Sequence, residues 1–200
     1  PKTGSTSLRY VMDKYTDQDK MNTLNESNNY HDHFSASHYK DVLKKEFDIN
    51  WNNLFSFTTI RNPWDRIVSG YRYYKMDKYG TSFYYSHYDK STAGQYTFSQ
   101  FLEKMKVIDH WVKEGQDYWS HIGVPNANNF CFDKDGKCLV TKIYPIESLT
   151  SELLVKDLKE HGMVLSIDNI PHENKTKTNN SYQKYYTEQW MIDKVREVYK

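Results

Sequence analysis

The stretch LFSFTTIRNPWDRIVSGY, residues 54–71, contains the pattern of a strand followed at once by a helix. Residues 54–60 are apolar and β-branched, which predicts a buried strand. Asn62 is a typical helix N-cap, and Pro63 suits the first helical position. Apolar residues then recur at helical spacing, at Trp64, Ile67, Val68 and Tyr71. The stretch therefore predicts a strand that ends beside Arg61 and a helix that begins at Pro63.

Arg61 and Ser69 are the polar residues of this stretch that suggest a ligand. The arginine lies at the carboxyl edge of the predicted strand, and the serine lies two turns into the helix. A planar guanidinium together with a hydroxyl is well suited to a phosphate monoester. In the alternative interpretation, Arg61 pairs with Asp65 and Ser69 has no ligand.

A second anion-binding pattern occurs in PKTGSTSL, residues 1–8. Small residues from Gly4 to Ser7 predict a tight loop that opens a helix, whose apolar residues include Leu8 and Val11. Such a loop directs backbone N–H groups to one point, where the helix dipole also favours an anion. Lys2 precedes the glycine by two residues, so the Walker pattern GxxxxGK[ST] is absent, which argues against an ordinary ATPase or GTPase. An ordinary helix cap is the alternative.

Taken together, PKTGSTSL and RNPWDRIVSGY resemble the sulfotransferase superfamily that uses PAPS (3′-phosphoadenosine-5′-phosphosulfate) and releases PAP. The RNPWDR variant is similar to the branch that contains carbohydrate sulfotransferases, of the family 2 type. Weaker similarity continues through residues 142–149, 170–175 and 185–187. The resemblance implies that Arg61 and Ser69 hold the 3′-phosphate. It implies that the first loop holds the 5′-phosphosulfate through Lys2, Thr3, Gly4, Ser5, Thr6 and Ser7.

The implied fold is α/β: a three-layer α/β/α sandwich with a mostly parallel central sheet, similar to the P-loop nucleotide-binding fold. In such sheets the ligand lies beyond the carboxyl ends of the strands.

Three histidines crowd the segment HDHFSASH, residues 31–38. Metal binding is a weak interpretation, because no cysteine or glutamate completes a ligand set. A general base fits better, since histidine titrates near neutral pH and sulfuryl transfer requires a base for the acceptor hydroxyl. The resemblance favours His33 as the base, ahead of His31 and His38. Lys2 would stabilise charge on the leaving phosphate, so that no metal is required.

The resemblance also implies roles for residues farther along the chain. Trp119 and His121 are candidate acceptor contacts, and Lys175 and Lys177 are candidates for a basic segment that covers the nucleotide. The alternatives are a packed tryptophan beside an incidental histidine, and a solvated lysine loop.

Four further patterns predict the scaffold. Thr97 and Gln100 resemble a capping box that opens a helix with Phe98, Phe101, Leu102 and Met105 inward. Residues 130–140 predict a hairpin, and a pairing of Phe132 with Lys137 would make Cys131 and Cys138 face each other. Leucines 149, 153, 154 and 158 predict a helix that stops at His161-Gly162. Met191, Val195, Val198 and Tyr199 predict a last helix.

Length and composition suit one domain over residues 1–200. The chain has 27 basic and 26 acidic side chains, so no global charge indicates a nucleic-acid partner or a membrane surface. The mean hydropathy is −0.90, and no apolar run approaches the roughly 20 residues of a membrane span. The first loop would normally follow a strand, and the last apolar pattern is still in helical phase at the end. We therefore expect truncation at both ends, with the first strand missing.

The sequence thus predicts transfer of the sulfuryl group from PAPS to an acceptor hydroxyl, with a carbohydrate favoured. A P-loop-type kinase or phosphotransferase, and an inactive PAP- or glycan-binding module, are the alternatives. The sequence does not decide the oligomeric state or the compartment, which would be the Golgi lumen in a eukaryote and the cytoplasm in a bacterium or virus.

Overall fold

A computed structural model describes residues 5–17, 19–20, 35–75, 96–104, 128–164 and 181–199. The helices are α1 (Ser5–Met12), α2 (Ala36–Phe47), α3 (Pro63–Lys75), α4 (Phe98–Lys104), α5 (Asn128–Cys131), α6 (Ser151–Glu160) and α7 (Gln189–Val198). The strands are β1 (Phe57–Ile60) and β2 (Lys142–Pro145), and short 3₁₀ helices span Asp13–Tyr15, Trp51–Asn53 and Tyr182–Tyr185. The chain forms two compact units. The first comprises residues 1–2, 61–126 and 176–200, and the second comprises residues 3–60 and 127–175.

The second unit contains a parallel pair of strands. Phe57 of β1 lies opposite Lys142 of β2, and Ile60 lies opposite Pro145. Beyond the strands, the Ile146 N–H donates to the Ile60 carbonyl at 2.8 Å. A mixture of helices with a small parallel sheet is compatible with the α/β class, because parallel strands require a crossover connection. The three-layer sandwich remains a prediction.

The strand predicted over residues 54–60 is shorter in the structure and half-buried. It begins at Phe57 because the Leu54 N–H donates to the Trp51 carbonyl at 3.1 Å and closes the preceding 3₁₀ turn. The strand has one hydrogen-bonded neighbour within the described sheet, which leaves its residues partly exposed.

The apolar core of the second unit joins α1, β2 and α6. Its buried members are Leu8, Val11, Tyr144, Leu154 and Leu158. Helix α6 begins at the N-cap Thr150, whose Oγ1 accepts from the Leu153 N–H at 3.2 Å. It ends as predicted at Gly162, which has a φ of +82°, and the Met163 N–H donates to the Leu158 carbonyl at 2.9 Å. The helices predicted after the first loop and at the leucine-rich segment are therefore confirmed.

The first unit has its own core, which α3, α4 and α7 share. Its buried members are Ile67, Val68, Tyr71, Phe98, Phe101, Leu102, Met191, Val195 and Val198. The predicted capping box of α4 is present: the Thr97 N–H donates to Gln100 Oε1 at 2.9 Å, and the Gln100 N–H donates to Thr97 Oγ1 at 3.3 Å. The predicted inward faces of these helices are confirmed, with Met105 outside the described residues.

The hairpin predicted over residues 130–140 is present only in part, because Phe130 and Cys131 belong to α5 and a single bridge follows them. Phe132 pairs with Cys138 rather than with Lys137. Asp133 causes the difference, because its Oδ1 accepts from the Asp135 N–H at 3.0 Å and from the Lys137 N–H at 2.9 Å, so the turn includes Lys137. Cys131 consequently lies opposite Leu139, whose N–H donates to the Cys131 carbonyl at 2.6 Å. The two thiols do not face each other, and both are free.

Within the described parts of the chain, no helix is long and apolar enough to span a bilayer.

Candidate functional site

The beginning of α3 is organised by Asn62. Its Oδ1 accepts from the Trp64 N–H at 3.1 Å and from the Asp65 N–H at 3.3 Å. Its carbonyl accepts from the Arg66 N–H at 2.8 Å, and Pro63 occupies the first helical position. The cap and the helix start that the sequence predicts are therefore confirmed. The cap and the helix start fix the backbone next to Arg61, which lies between the end of β1 and Asn62.

Arg61 is bound to the first turn of α3. Its Nε and Nη2 both lie 2.8 Å from Oδ2 of Asp65. The pairing with Asp65, which was the alternative to phosphate binding, is thus present. It does not remove Arg61 from solvent, because the side chains of Arg61 and Asp65 are 27% and 24% exposed. Two bonds to one oxygen hold the plane of the guanidinium while a charged ligand can still approach it.

Ser69 lies on the same face of α3 as the ion pair. It follows Asp65 by four residues, and residues four apart on a helix lie one above the other. The serine is half-buried. The structure thus brings Arg61, Asp65 and Ser69 to one side of α3, as the predicted helix requires.

Tyrosines from residues 181–199 pack against the first turn of α3. Asn62 Nδ2 donates to Tyr182 Oη at 3.5 Å, and Tyr186 Oη donates to the Trp64 carbonyl at 2.9 Å. Burial raises the pKa of Tyr186, so its hydroxyl remains a neutral donor at physiological pH. Sequence reasoning missed both contacts, although the spacing of Tyr182 and Tyr186 places them one turn apart.

Two arginines within α3 are bound by tyrosines, unlike Arg61, whose partner is Asp65. The buried Arg66 donates through Nη1 to Tyr199 Oη at 3.1 Å, with its Cζ 5.7 Å from the centre of that ring. Arg72 donates through Nε to Tyr185 Oη at 3.2 Å and lies 5.0 Å from that ring centre. These contacts combine a hydrogen bond with a cation–π interaction. They orient arginines whose roles the sequence did not predict.

The predicted first phosphate loop is only partly described. Lys2, Thr3 and Gly4, and the side chains of Ser5 and Thr6, lie outside the described residues. Helix α1 begins at Ser5, and Ser7 is buried within it at 7% exposure. A helix start after the glycine agrees with the prediction, whereas the contacts of the loop remain a prediction.

Most of the other predicted site residues also lie outside the described residues: His31, His33, Trp119, His121, Lys175 and Lys177. The described chain resumes after His31 and His33 at the N-cap Ser35, and α2 begins at Ala36. The Ser35 Oγ accepts from the N–H of His38, which is half-buried in the first turn. His33 precedes this cap by two residues in the sequence, and its role as the base remains a prediction.

A charged cluster lies in the second unit, around Asp157 of α6. Its Oδ2 accepts from Lys142 Nζ at 2.6 Å and from Tyr144 Oη at 2.5 Å, and its side chain is only 7% exposed. The two donors lie on the same face of β2 because they are two residues apart. The Lys142 ammonium, together with the Tyr144 hydroxyl, holds the pKa of Asp157 below its usual range. No pattern in the sequence predicted this cluster.

The residues that the structure describes contain no group of three or more histidine, cysteine, aspartate or glutamate side chains that could hold a metal ion.

The parallel strand pair is compatible with an α/β protein, and the helix that follows β1 in the chain has a capped start with a partly exposed arginine beside it. The sequence model of the sulfotransferase family 2 matches residues 1–200, and the chain therefore belongs to this family. Neither the curated proteins nor the solved structures contain a match to the chain. Family membership supports a transferase, and sulfotransferase activity in general.

Proposed function

We propose that the protein transfers the sulfuryl group of PAPS to a hydroxyl group, most favourably on a carbohydrate. The observation that carries the proposal is the family match over residues 1–200, because this family generally uses PAPS. The oriented and partly exposed side chain of Arg61 at the start of α3 supports it. The proposal includes a single domain with a three-layer α/β/α fold.

In this proposal Arg61 and Ser69 bind the 3′-phosphate of the donor. Three properties support the assignment: the guanidinium is oriented by Asp65, about a quarter of it is exposed, and it lies at the positive end of a helix dipole. Ser69 adds a hydroxyl on the same face. This donor set fits a phosphate monoester better than a neutral ligand.

The first loop would bind the other end of the donor. Backbone N–H groups and hydroxyls of Lys2, Thr3, Gly4, Ser5, Thr6 and Ser7 cradle the 5′-phosphosulfate. Lys2 stabilises the negative charge that builds on the 5′-phosphate as it leaves. The basic residues Lys175 and Lys177 cover the nucleotide.

His33 acts as the general base. It takes the proton of the acceptor hydroxyl while the acceptor oxygen forms a bond to sulfur. The bond between sulfur and the 5′-phosphate oxygen breaks in the same in-line step, and PAP leaves. Trp119 and His121 contact the acceptor. Positioning and charge stabilisation supply most of the barrier reduction, as in phosphoryl transfer.

The proposal is tested by thermal unfolding with PAP, 5′-ADP or Mg-ATP at equal concentrations. A ligand that binds the native state at about 100 times its dissociation constant adds about 2.7 kcal/mol of stability, which raises the melting temperature measurably. We expect the largest shift with PAP, and Arg61→Ala should abolish the advantage of PAP over 5′-ADP. Arg196→Ala is the matched control, because Arg196 also pairs with an aspartate, Asp193, but on the exposed face of α7. A shift with Mg-ATP and none with PAP would instead support a kinase.

A further inference from the structure

The C-terminal segment 181–199 contacts α3 largely through tyrosine hydroxyls. The tyrosines involved are Tyr182, Tyr185, Tyr186 and Tyr199. Tyr185 and Tyr199 meet arginine side chains, Arg72 and Arg66. Tyr182 and Tyr186 differ from them, because they bind the cap residue and a backbone carbonyl of the first helical turn. Those two hydroxyls therefore contact the helix turn that follows Arg61.

Tyr182 is connected to Arg61 through the side chains of Asn62 and Asp65. Asn62 Nδ2 donates a long hydrogen bond of 3.5 Å to Tyr182 Oη, while its Oδ1 faces the first turn of the helix. That oxygen accepts from the Asp65 N–H at 3.3 Å, and Asp65 Oδ2 in turn holds the Arg61 guanidinium at 2.8 Å. An amide side chain has one acceptor end and one donor end, so a partner on the nitrogen selects which end faces the helix.

Tyr186 acts on the same turn from the next residue. Its hydroxyl donates to the carbonyl of Trp64 at 2.9 Å, and Trp64 lies between Asn62 and Asp65 in the chain. The Tyr186 ring packs edge-on against Phe98 of α4, with ring centres 5.1 Å apart. The hydroxyl is therefore anchored in the core of the first unit. Since burial raises the pKa of Tyr186, the donor is retained throughout the physiological range.

Recognition of a phosphate by arginine depends on this anchoring. A bidentate guanidinium–phosphate pair has strict geometry, and displacements of a fraction of an ångström weaken it. Binding of a nucleotide that lacks the 3′-phosphate, such as 5′-ADP, would not be weakened by the same displacement of Arg61.

We propose that Tyr182 and Tyr186 are positioning residues that give the protein its preference for a nucleotide with a 3′-phosphate. The inference rests on the proposed function in one respect: Arg61 is taken as the group that binds this phosphate. It goes beyond that function in assigning the selectivity to a segment more than 100 residues away in the chain.

The test uses Tyr182→Phe and Tyr186→Phe, each of which removes a hydroxyl and keeps the ring. Titration calorimetry gives the affinities for PAP and for 5′-ADP, and initial rates give KM for PAPS and kcat. We expect PAP affinity to fall about three- to tenfold, as for loss of one hydrogen bond, with 5′-ADP affinity and kcat unchanged. The KM for PAPS should rise by the same factor.

Tyr185→Phe is the matched control. It removes a hydroxyl of the same 3₁₀ helix whose partner, Arg72, lies two turns farther along α3. This variant should keep the wild-type ratio of PAP to 5′-ADP affinity. Melting temperatures without ligand report whether each variant is folded.

Three outcomes overturn the inference. The first is an unchanged ratio of PAP to 5′-ADP affinity in both tyrosine variants while Arg61→Ala lowers it. The second is an equal loss of affinity for both nucleotides, which would indicate a general structural role. The third is a wild-type protein that does not distinguish PAP from 5′-ADP, in which case the proposed phosphate site fails as well.

Discussion

The guanidinium of Arg61 is held in place by one carboxylate oxygen, and this contact determines how it can meet a ligand. Asp65 binds it through Nε and Nη2, and both side chains remain about one quarter exposed. A paired but accessible arginine keeps its charge and loses little conformational entropy when a phosphate binds. The ion pair and phosphate binding are thus compatible roles for the same residue.

At the residue scale, the general base is tested with His33→Ala. Loss of a general base lowers turnover by about 100- to 10,000-fold, so kcat should fall in that range. The melting shift with PAP should persist, because the base does not bind the donor. His31→Ala and His38→Ala serve as comparisons and should retain most of the activity. A large loss of kcat in either of them, with His33→Ala active, would transfer the role.

The pH dependence of stability is expected to report Asp157. Because Lys142 lowers the pKa of Asp157 in the folded protein, the carboxylate stabilises the fold above its unfolded pKa of about 3.9. This contribution is lost as the pH falls through the lower, folded pKa. Asp157→Asn should therefore reduce the free energy of unfolding at pH 7, and the difference from wild type should shrink below about pH 4.

Urea unfolding at pH 7 and again below about pH 4 measures this effect. Lys142→Met should remove most of the acid dependence, and Tyr144→Phe less of it, because Lys142 is the principal cause of the shift. A difference between Asp157→Asn and wild type that is the same at both pH values would contradict the expectation.

At the scale of elements, helix ends follow from local chemistry. Asn62, Thr97 and Thr150 each precede a helix, and each accepts from backbone N–H groups of the first turn. The starts at Asn62 and Thr97 were predicted from sequence, because the cap and its partners lie within three residues of each other, whereas the cap at Thr150 was not. Phe132 pairs with Cys138 rather than with Lys137, because the side chain of Asp133 accepts from backbone N–H groups of the turn.

Gly162 provides a prediction at this scale. It ends α6 with a φ of +82°, and a Cβ added there would meet nothing within 4 Å. The cost of Gly162→Ala is thus backbone strain alone, and we expect about 1 kcal/mol in the free energy of unfolding. Gly162→Asn should cost less, because asparagine tolerates the left-handed region better. Urea denaturation of both variants tests this order, and equal costs would show that the left-handed conformation is not what matters.

At the scale of the whole molecule, each unit is assembled from segments that are distant in sequence. The core of the first unit joins helices that contain Ile67, Phe101 and Val195, and the second joins Leu8 with Leu158. Such contacts carry the apolar burial that stabilises the chain.

The activity of the whole molecule is expected to be independent of a metal ion. This property distinguishes sulfuryl transfer from the phosphotransferase reaction that the sequence left open. If Lys2 and Arg61 neutralise the leaving nucleotide, sulfuryl transfer should proceed without a divalent ion. We expect the rate with PAPS and an acceptor to change less than about twofold when a chelator is added after dialysis. A catalytic metal would instead make the rate fall when it is removed. Restoration of a lost rate by Mg²⁺ would contradict this expectation and favour a phosphotransferase.

The sequence by itself determined the elements and the family. Strand β1, the cap at Asn62, the inward face of α3 and the stop at Gly162 all depend on residues within a few positions of each other, where propensity and capping act. Only the tertiary structure decided which tyrosines meet the turn after Arg61 and which donors meet Asp157. The path from Tyr182 through Asn62 to Arg61, and the convergence of Lys142 and Tyr144 on Asp157, join residues on different elements. Local periodicity carries no information about such partners, because side-chain packing between elements selects them.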